Sequence, residues 1–192
     1  MKETKHKETP GGNRPWWWVP TLYFAEGLPY MAVMTISAVM YKCLGIDNTR
    51  LAFYTGWLYL PWVIKPLWSP YVDILRSKRW WVLTMQWTIA IAMAALAFTL
   101  PATGFFQASL AVFWLMAFAS ATHDIAADGY YMLALNQGQQ SFFVGIRSLF
   151  YRCSMIVGQG VLVVLAARVS EAWAQPKAGW ICVFLILGVF FA

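Results

Sequence analysis

The chain has 192 residues, of which 60% are hydrophobic, 18% aromatic and only 11% charged, whereas soluble domains carry roughly 25% charged residues. Such a chain cannot cover a water-facing surface, and its aromatic content excludes disorder, so the surrounding solvent is expected to be lipid. The net charge of +6 comes from 14 Lys and Arg that fall singly or in short groups between apolar runs, which excludes a nucleic-acid-binding patch and fits the positive-inside bias of membrane proteins.

A membrane-crossing helix needs about 20 mostly apolar residues. After a basic tail at 1–15, six runs are predicted, at 16–44, 51–75, 80–100, 105–135, 142–169 and 180–192. The first is too long for a secretory signal core, and no small-residue cleavage site follows it. The second holds Pro61, Pro66 and Pro70, which membrane bundles tolerate when neighbouring helices satisfy the freed carbonyls. The third ends at Pro101 and Gly104, and the polar stretch 136–141 turns the chain between the fourth and the fifth. The sixth stops at Ala192 after about 13 residues, roughly 20 Å of helix and short of the ~30 Å hydrocarbon core. The chain is therefore expected to be an amino-terminal half whose carboxy-terminal half is absent. Cys43, Cys153 and Cys182 lie in or beside apolar runs without metal-type spacing, so neither a disulfide framework nor a metal site is expected.

With the N-terminus cytoplasmic, the inner side receives Lys2, Lys5, Lys7, Arg14, Arg76, Lys78 and Arg79. The outer side receives Lys42, Arg50, Arg168 and Lys177. The excess predicts N-terminus inside, with Trp16, Trp17, Trp18, Trp80 and Trp81 in the interfacial belts.

The charges left inside the spans are the informative ones. Each costs about 2.5 to 3.5 kcal/mol at the centre of a lone helix, so intramembrane charges face a bundle interior or a watery cavity. Counted at about 1.5 Å per residue from the cytoplasmic ends, Glu26, Lys65, Asp124 and Arg152 all lie roughly 15 to 17 Å deep. Asp128 and Arg147 complete a set of three acids and three bases, with His123 beside it. One reading is a closed salt-bridge network that only holds helices together; the other is a substrate or ion site at the midplane of a transporter. Glu26 on the first helix answers to Asp124 and Asp128 on the fourth, and Lys65 on the second to Arg147 and Arg152 on the fifth. A repeat of three helices inverts in the membrane, the pattern of inverted-topology transporters.

Tyr23, Glu26 and Tyr30 share one helix face, with Gly27 and Pro29 placed to open the backbone or simply to kink it. Asp124 and Asp128 share a face four residues apart, and two carboxylates at one depth in a low dielectric repel. That is a property a proton-coupling pair needs, although Arg147 and Arg152 could equally pair with them. Gly158 and Gly160 are expected to mark close helix packing. Enzyme readings fail on spacing: His123 and Asp124 are adjacent and point apart on a helix, and an intramembrane aspartyl protease needs its two carboxylates on different helices.

The segment Lys65-Pro66-Leu67-Trp68-Ser69-Pro70-Tyr71-Val72-Asp73, followed by Arg76-Ser77-Lys78-Arg79, resembles the loop between helices two and three of the major facilitator superfamily. That loop carries Gly-x-x-x-Asp-Arg-x-Gly and then basic residues, and works there as a cytoplasmic latch. Asp73, Lys78 and Arg79 keep their places, while Ser69, Ile74 and Arg76 stand where Gly, Arg and Gly are usual. Ser120 to Tyr130, containing His123-Asp124-Ile125-Ala126-Ala127-Asp128, resembles the Gln-Asp-Ile-x-x-Asp segment of the muropeptide permease and acetyl-coenzyme A transporter branch, with His123 in place of Gln. Gly145-Ile146-Arg147-Ser148 and Gly158-Gln159-Gly160 are similar to that branch's fifth helix.

The resemblance implies an all-α fold made of two inverted three-helix repeats, and an inner-membrane permease importing cell-wall sugar-peptides with protons, without a cofactor. Glu26, Asp124 and Asp128 would then couple protons or hold a substrate amine. Lys65, Arg147 and Arg152 would be their partners or anchor a carboxylate, His123 would mark specificity, and Tyr23 and Tyr30 would stack sugars. The competing class is a six-helix membrane scaffold with structural charges.

Overall fold

The computed structural model describes residues 15–192 and is all-helical there. The basic tail and its four cations lie outside the described residues. The first helix, α1, runs over Pro15–Cys43. It stays helical through Gly27 and Pro29 and relaxes instead through a π turn at Ala32–Ile36, one turn beyond the proline that deprives the backbone of an N–H.

The second predicted span is four pieces rather than one helix. These are α2 (Asn48–Trp57), α3 (Leu60–Ile64), a 3-10 turn (Lys65–Leu67) and α4 (Ser69–Leu75). Pro61, Pro66 and Pro70 each fall at the first or second position of a new piece, where the missing N–H would be unbonded anyway. Asp47 caps α2 by accepting the Thr49 amide at 2.9 Å, a bond that holds its carboxyl below the usual range.

Three long helices follow: α5 (Lys78–Thr99), α6 (Phe105–Ala134) and α7 (Gln137–Ala172). Ser77 caps α5, accepting the Trp80 amide at 3.3 Å. The turn expected at 136–141 is shorter than the polar run. Asn136 accepts the Gln139 amide at 2.9 Å while the Gln139 side chain accepts the Asn136 amide at 3.1 Å. This reciprocal capping box starts α7 at Gln137. A π turn at Val157–Leu162 interrupts α7, and the last helix, α8, covers Ala178–Phe191. Helices α1, α5, α6 and α7 are long and apolar enough to cross a membrane.

Helix α1 lies against α7 and α6, α5 against α6 and α8, and α3 and α4 against α6. The main core joins Ile36, Met40 and Tyr41 of α1 to Met93 and Leu96 of α5, Phe113 and Met116 of α6 and Phe184 of α8. Within it the Tyr41 and Ser109 hydroxyls meet at 2.8 Å. Outside, Ile91 and Phe98, Ile156 and Val164, and Ile186 and Val189 stay exposed, as lipid-facing side chains must.

Small residues bring α1 and α7 together. A Cβ on Gly27 would strike the Ser154 side chain, and one on Gly158 would come within 2.9 Å of Met31 Cβ. Gly160, by contrast, faces open space, so of the two glycines expected to mark close packing only Gly158 does so. Where α8 meets α7, a Cβ on Gly179 would collide with the Ala166 backbone carbonyl. Gly179→Ala is therefore expected to destabilise by about 1–3 kcal/mol through overpacking, whereas Gly160→Ala stays within about 1 kcal/mol of wild type. Thermal unfolding of the two purified variants in detergent measures the difference.

Candidate functional site

Three helices and one broken segment deliver the charged residues to a single place. On α6, Asp124 and Asp128 are one turn apart and share a face. On α7, Arg147, Ser148, Tyr151, Arg152 and Met155 recur at the spacing of one helical face, and α1 brings Tyr23, Glu26 and Tyr30. The broken segment brings Lys65, set by the 3-10 turn between α3 and α4.

Two ion pairs join these elements. Lys65 Nζ pairs with Asp124 Oδ2, and Arg147 Nη1 with Asp128 Oδ1 at 2.9 Å. Tyr23 Oη completes the second pair, donating to Asp128 Oδ1 at 2.9 Å and accepting from Arg147 Nη1 at 3.0 Å. The Arg147 guanidinium also lies 4.9 Å from the Tyr23 ring centre and 5.2 Å from that of Tyr131, within cation–π range. The Tyr23 ring, 3% exposed, is thus covered by Arg147 and by an edge contact to Tyr131, and presents no open stacking face.

The third acid and the third base remain apart. Glu26 is buried, and its Oε2 has no hydrogen-bond partner among the described residues. Arg152 is exposed and makes no ion pair among them. Both line one cavity of about 490 Å³, together with Tyr23, Asp124, Asp128, Arg147 and Tyr151. A neighbouring cavity of about 330 Å³ shares Glu26, Asp124, Tyr151 and Met155, and adds Tyr30, Tyr59, Trp62, Lys65 and Ser120. A third, also about 490 Å³, continues from Lys65 and Asp128 to Ser69, Asp73, Lys78 and Gly129. The shared residues make these one polar groove along the inner faces of α1, α6 and α7.

In the groove, Tyr30 meets Trp62 edge-on at 5.2 Å and Tyr151 at 6.4 Å, leaving aromatic surface beside the acids. Chemically, the groove offers one unpaired carboxylate, one unpaired guanidinium, two ion pairs that can exchange partners, and rings for an apolar or sugar face. His123, 1% exposed with Nε2 unpartnered, lines none of these cavities.

Of the residues expected to form a latch, Asp73 pairs with Lys78, whose aliphatic stem lies so near Gly129 that a Cβ there would sit 2.6 Å from Lys78 Cε. Arg76 lies 5.6 Å from the Trp80 ring centre. Arg79 lines a separate groove with Trp18, Leu22, Tyr130 and Phe190.

Sequence reasoning found the charges but missed Tyr151, Trp62 and Tyr59. Tyr151 was legible, four residues from Arg147 on the same face. Trp62 and Tyr59 were not, because the prolines destroy the periodicity that would assign them a face.

Removing one partner of a partly buried pair strands the other. Arg147→Met is expected to lower stability by about 1–2 kcal/mol, between the values for exposed and buried pairs. Adding Asp128→Asn should recover part of that loss, which thermal unfolding of the single and double variants measures.

The model of the BT1 family matches residues 24–188. An anhydromuropeptide permease of Escherichia coli K12 is 32% identical over 155 residues, 77% of this chain and 30% of that protein, and the permease of strain O157:H7 gives the same values. An uncharacterized protein of Haemophilus influenzae is 27% identical over 173 residues, 87% of this chain and 39% of that protein. The chain thus spans about a third of the length of the curated relatives it matches. No solved structure matches it. The named relative is a permease rather than an enzyme.

Proposed function

The chain belongs to the BT1 family, and on that footing we propose that it forms the amino-terminal half of a secondary active transporter of the major facilitator type, with two inverted three-helix repeats. Its place is the bacterial inner membrane with the N-terminus cytoplasmic, and its cargo an anhydro-muropeptide or a related cell-wall sugar-peptide taken up with protons. The cargo rests on the name of the Escherichia coli relative; the transport reading rests on the groove.

The observation that carries the reading is the uneven pairing of the six charges. A scaffold would gain most from closing all of them, since an unpaired intramembrane charge is costly. Two pairs close, while Glu26 and Arg152 are left on the walls of the same cavity. A cavity so lined suits a polar cargo, with Arg152 able to receive a carboxylate and the rings of Tyr30, Trp62 and Tyr59 a sugar face. The groove is to be closed by a second six-helix half, and rocking of the halves about it would give alternating access. Asp73 and Lys78 act as the cytoplasmic latch where the third cavity ends, with Arg76 and Arg79 supplying the rest of its basic stretch.

Asp124→Asn in the full-length protein is expected to reduce proton-driven uptake of anhydro-muropeptide to the level of empty vesicles. Membrane insertion should be unchanged. The substitution removes the acid that holds Lys65 and leaves that cation beside Glu26. Uptake that survives the substitution would contradict a role for this cluster in transport.

A further inference from the structure

Among the three acids, Glu26 stands alone in lacking a cation. Lys65 holds Asp124, and Arg147 with the Tyr23 hydroxyl holds Asp128. Each aspartate thus has a cation against it, and Asp128 a donated hydroxyl as well. Glu26 has no such cation, and its buried Oε2 has no hydrogen-bond partner among the described residues; the group set against its carboxyl is the acid Asp124, near enough for a hydrogen bond, and Glu26 forms part of the walls of two cavities. A carboxylate in a low dielectric with no cation and a second carboxyl beside it is costly, and something must neutralise it.

Arg152 borders the same cavity without pairing with Glu26, which leaves two neutralising species: a proton, or an ammonium group of the cargo. The geometry separates them. Glu26 Oε2 is closed off by packed side chains, so a bulky ammonium does not reach that oxygen. A proton needs only the oxygen and a water-filled path, and the flanking cavities supply the path. The groups that face Glu26 are Asp124 and Asp128 from α6, Arg147, Tyr151 and Arg152 from α7, Lys65 from the broken segment, and Tyr23 and Tyr30 on its own helix.

We infer that Glu26, rather than either aspartate, is the group that takes up and releases the coupling proton. The step is one O–H bond formed with a proton from water on one side of the membrane and broken to water on the other; no electron changes hands. When Glu26 is neutral, α1 and α7 can close across it without burying a bare charge. When it is ionised, the groove must stay open to water, or Lys65 must leave Asp124 for Glu26. Two π turns lie just beyond this position on the two helices, at Ala32–Ile36 and Val157–Leu162, and rest against each other. π turns recur at functional sites, and these two mark the α1–α7 seam that carries Glu26.

This inference rests on the proton-coupled transport proposed above, and its first test is independent of any cargo. Infrared difference spectra of the purified full-length protein at stepped pH are expected to show the carbonyl stretch of a protonated carboxylic acid. That band should vanish in Glu26→Gln, persist in Asp128→Asn, and return shifted in Glu26→Asp. A band that survives Glu26→Gln would overturn the assignment.

The second test uses proteoliposomes and labelled anhydro-muropeptide. Glu26→Gln should cut accumulation driven by a pH gradient about tenfold or more, yet leave gradient-free counterflow within about twofold of wild type, with Glu26→Asp restoring accumulation. Loss of counterflow together with accumulation would assign Glu26 to cargo binding and overturn the proposal, as would gradient-driven accumulation that persists. Absence of gradient-driven accumulation in the wild-type protein, with the infrared band present, would instead refute the transport reading and remove the coupling role with it.

Discussion

The structure depends on how a chain in lipid disposes of charge. An ionised side chain on a lone helix is costly in hydrocarbon, so the charges inside the spans turn inward, and each sets which face of a helix is inner. Lys65 with Asp124 ties the broken segment to α6, and Arg147 with Asp128 and Tyr23 ties α7 to α6 and α1. Four separate stretches of chain are thereby set around one groove. The rest of each helix surface is then free to be apolar, either packed into the core around Phe113, Met93 and Phe184 or exposed to lipid as Ile91, Ile156 and Val189 are.

Packing supports the same arrangement by close approach rather than by hydrophobic force, since lipid tails are as apolar as the side chains. Gly27 and Gly158 let α1 and α7 touch, and Gly179 lets α8 lie on the backbone of α7. Ser154 fits the space that Gly27 leaves, its hydroxyl donating to the Tyr151 carbonyl at 2.6 Å. These contacts hold the helix that carries Arg147 and Arg152 against the helix that carries Glu26. A seam made of small residues and π turns is tight without being interlocked, which is compatible with the movement proposed above.

Much of this was legible in the sequence. Apolar runs located α1, α5 and α6 to within a few residues, and intramembrane charge singled out the residues that line the groove. The pattern could not tell how the charges pair. Spacing along one helix says nothing of the neighbour across it, and the union of Lys65 with Asp124 rather than with Glu26 is decided by three-dimensional approach. The start of α7 lies inside the stretch whose polarity predicts a turn, although Asn136 and Gln139 carry the capping-box signature. The division of the second span was missed because proline in a membrane run is compatible with both a kinked helix and several short ones, and only the positions of Pro61, Pro66 and Pro70 at the starts of pieces decide it.

The central claim is that these charges line a watery groove inside an apolar bundle, and thiol reactivity tests it most directly. Met155 borders two of the cavities, while Ile156, one residue on and about 100° around the helix, faces outward and is 70% exposed. With Cys43, Cys153 and Cys182 replaced, Met155→Cys and Ile156→Cys in the full-length protein are treated in membranes with a charged, impermeant methanethiosulfonate. Labelling of the cysteine at 155 with none at 156 is the predicted result, because a thiol in lipid neither ionises nor meets the reagent. Labelling at 156 with none at 155 would contradict the account.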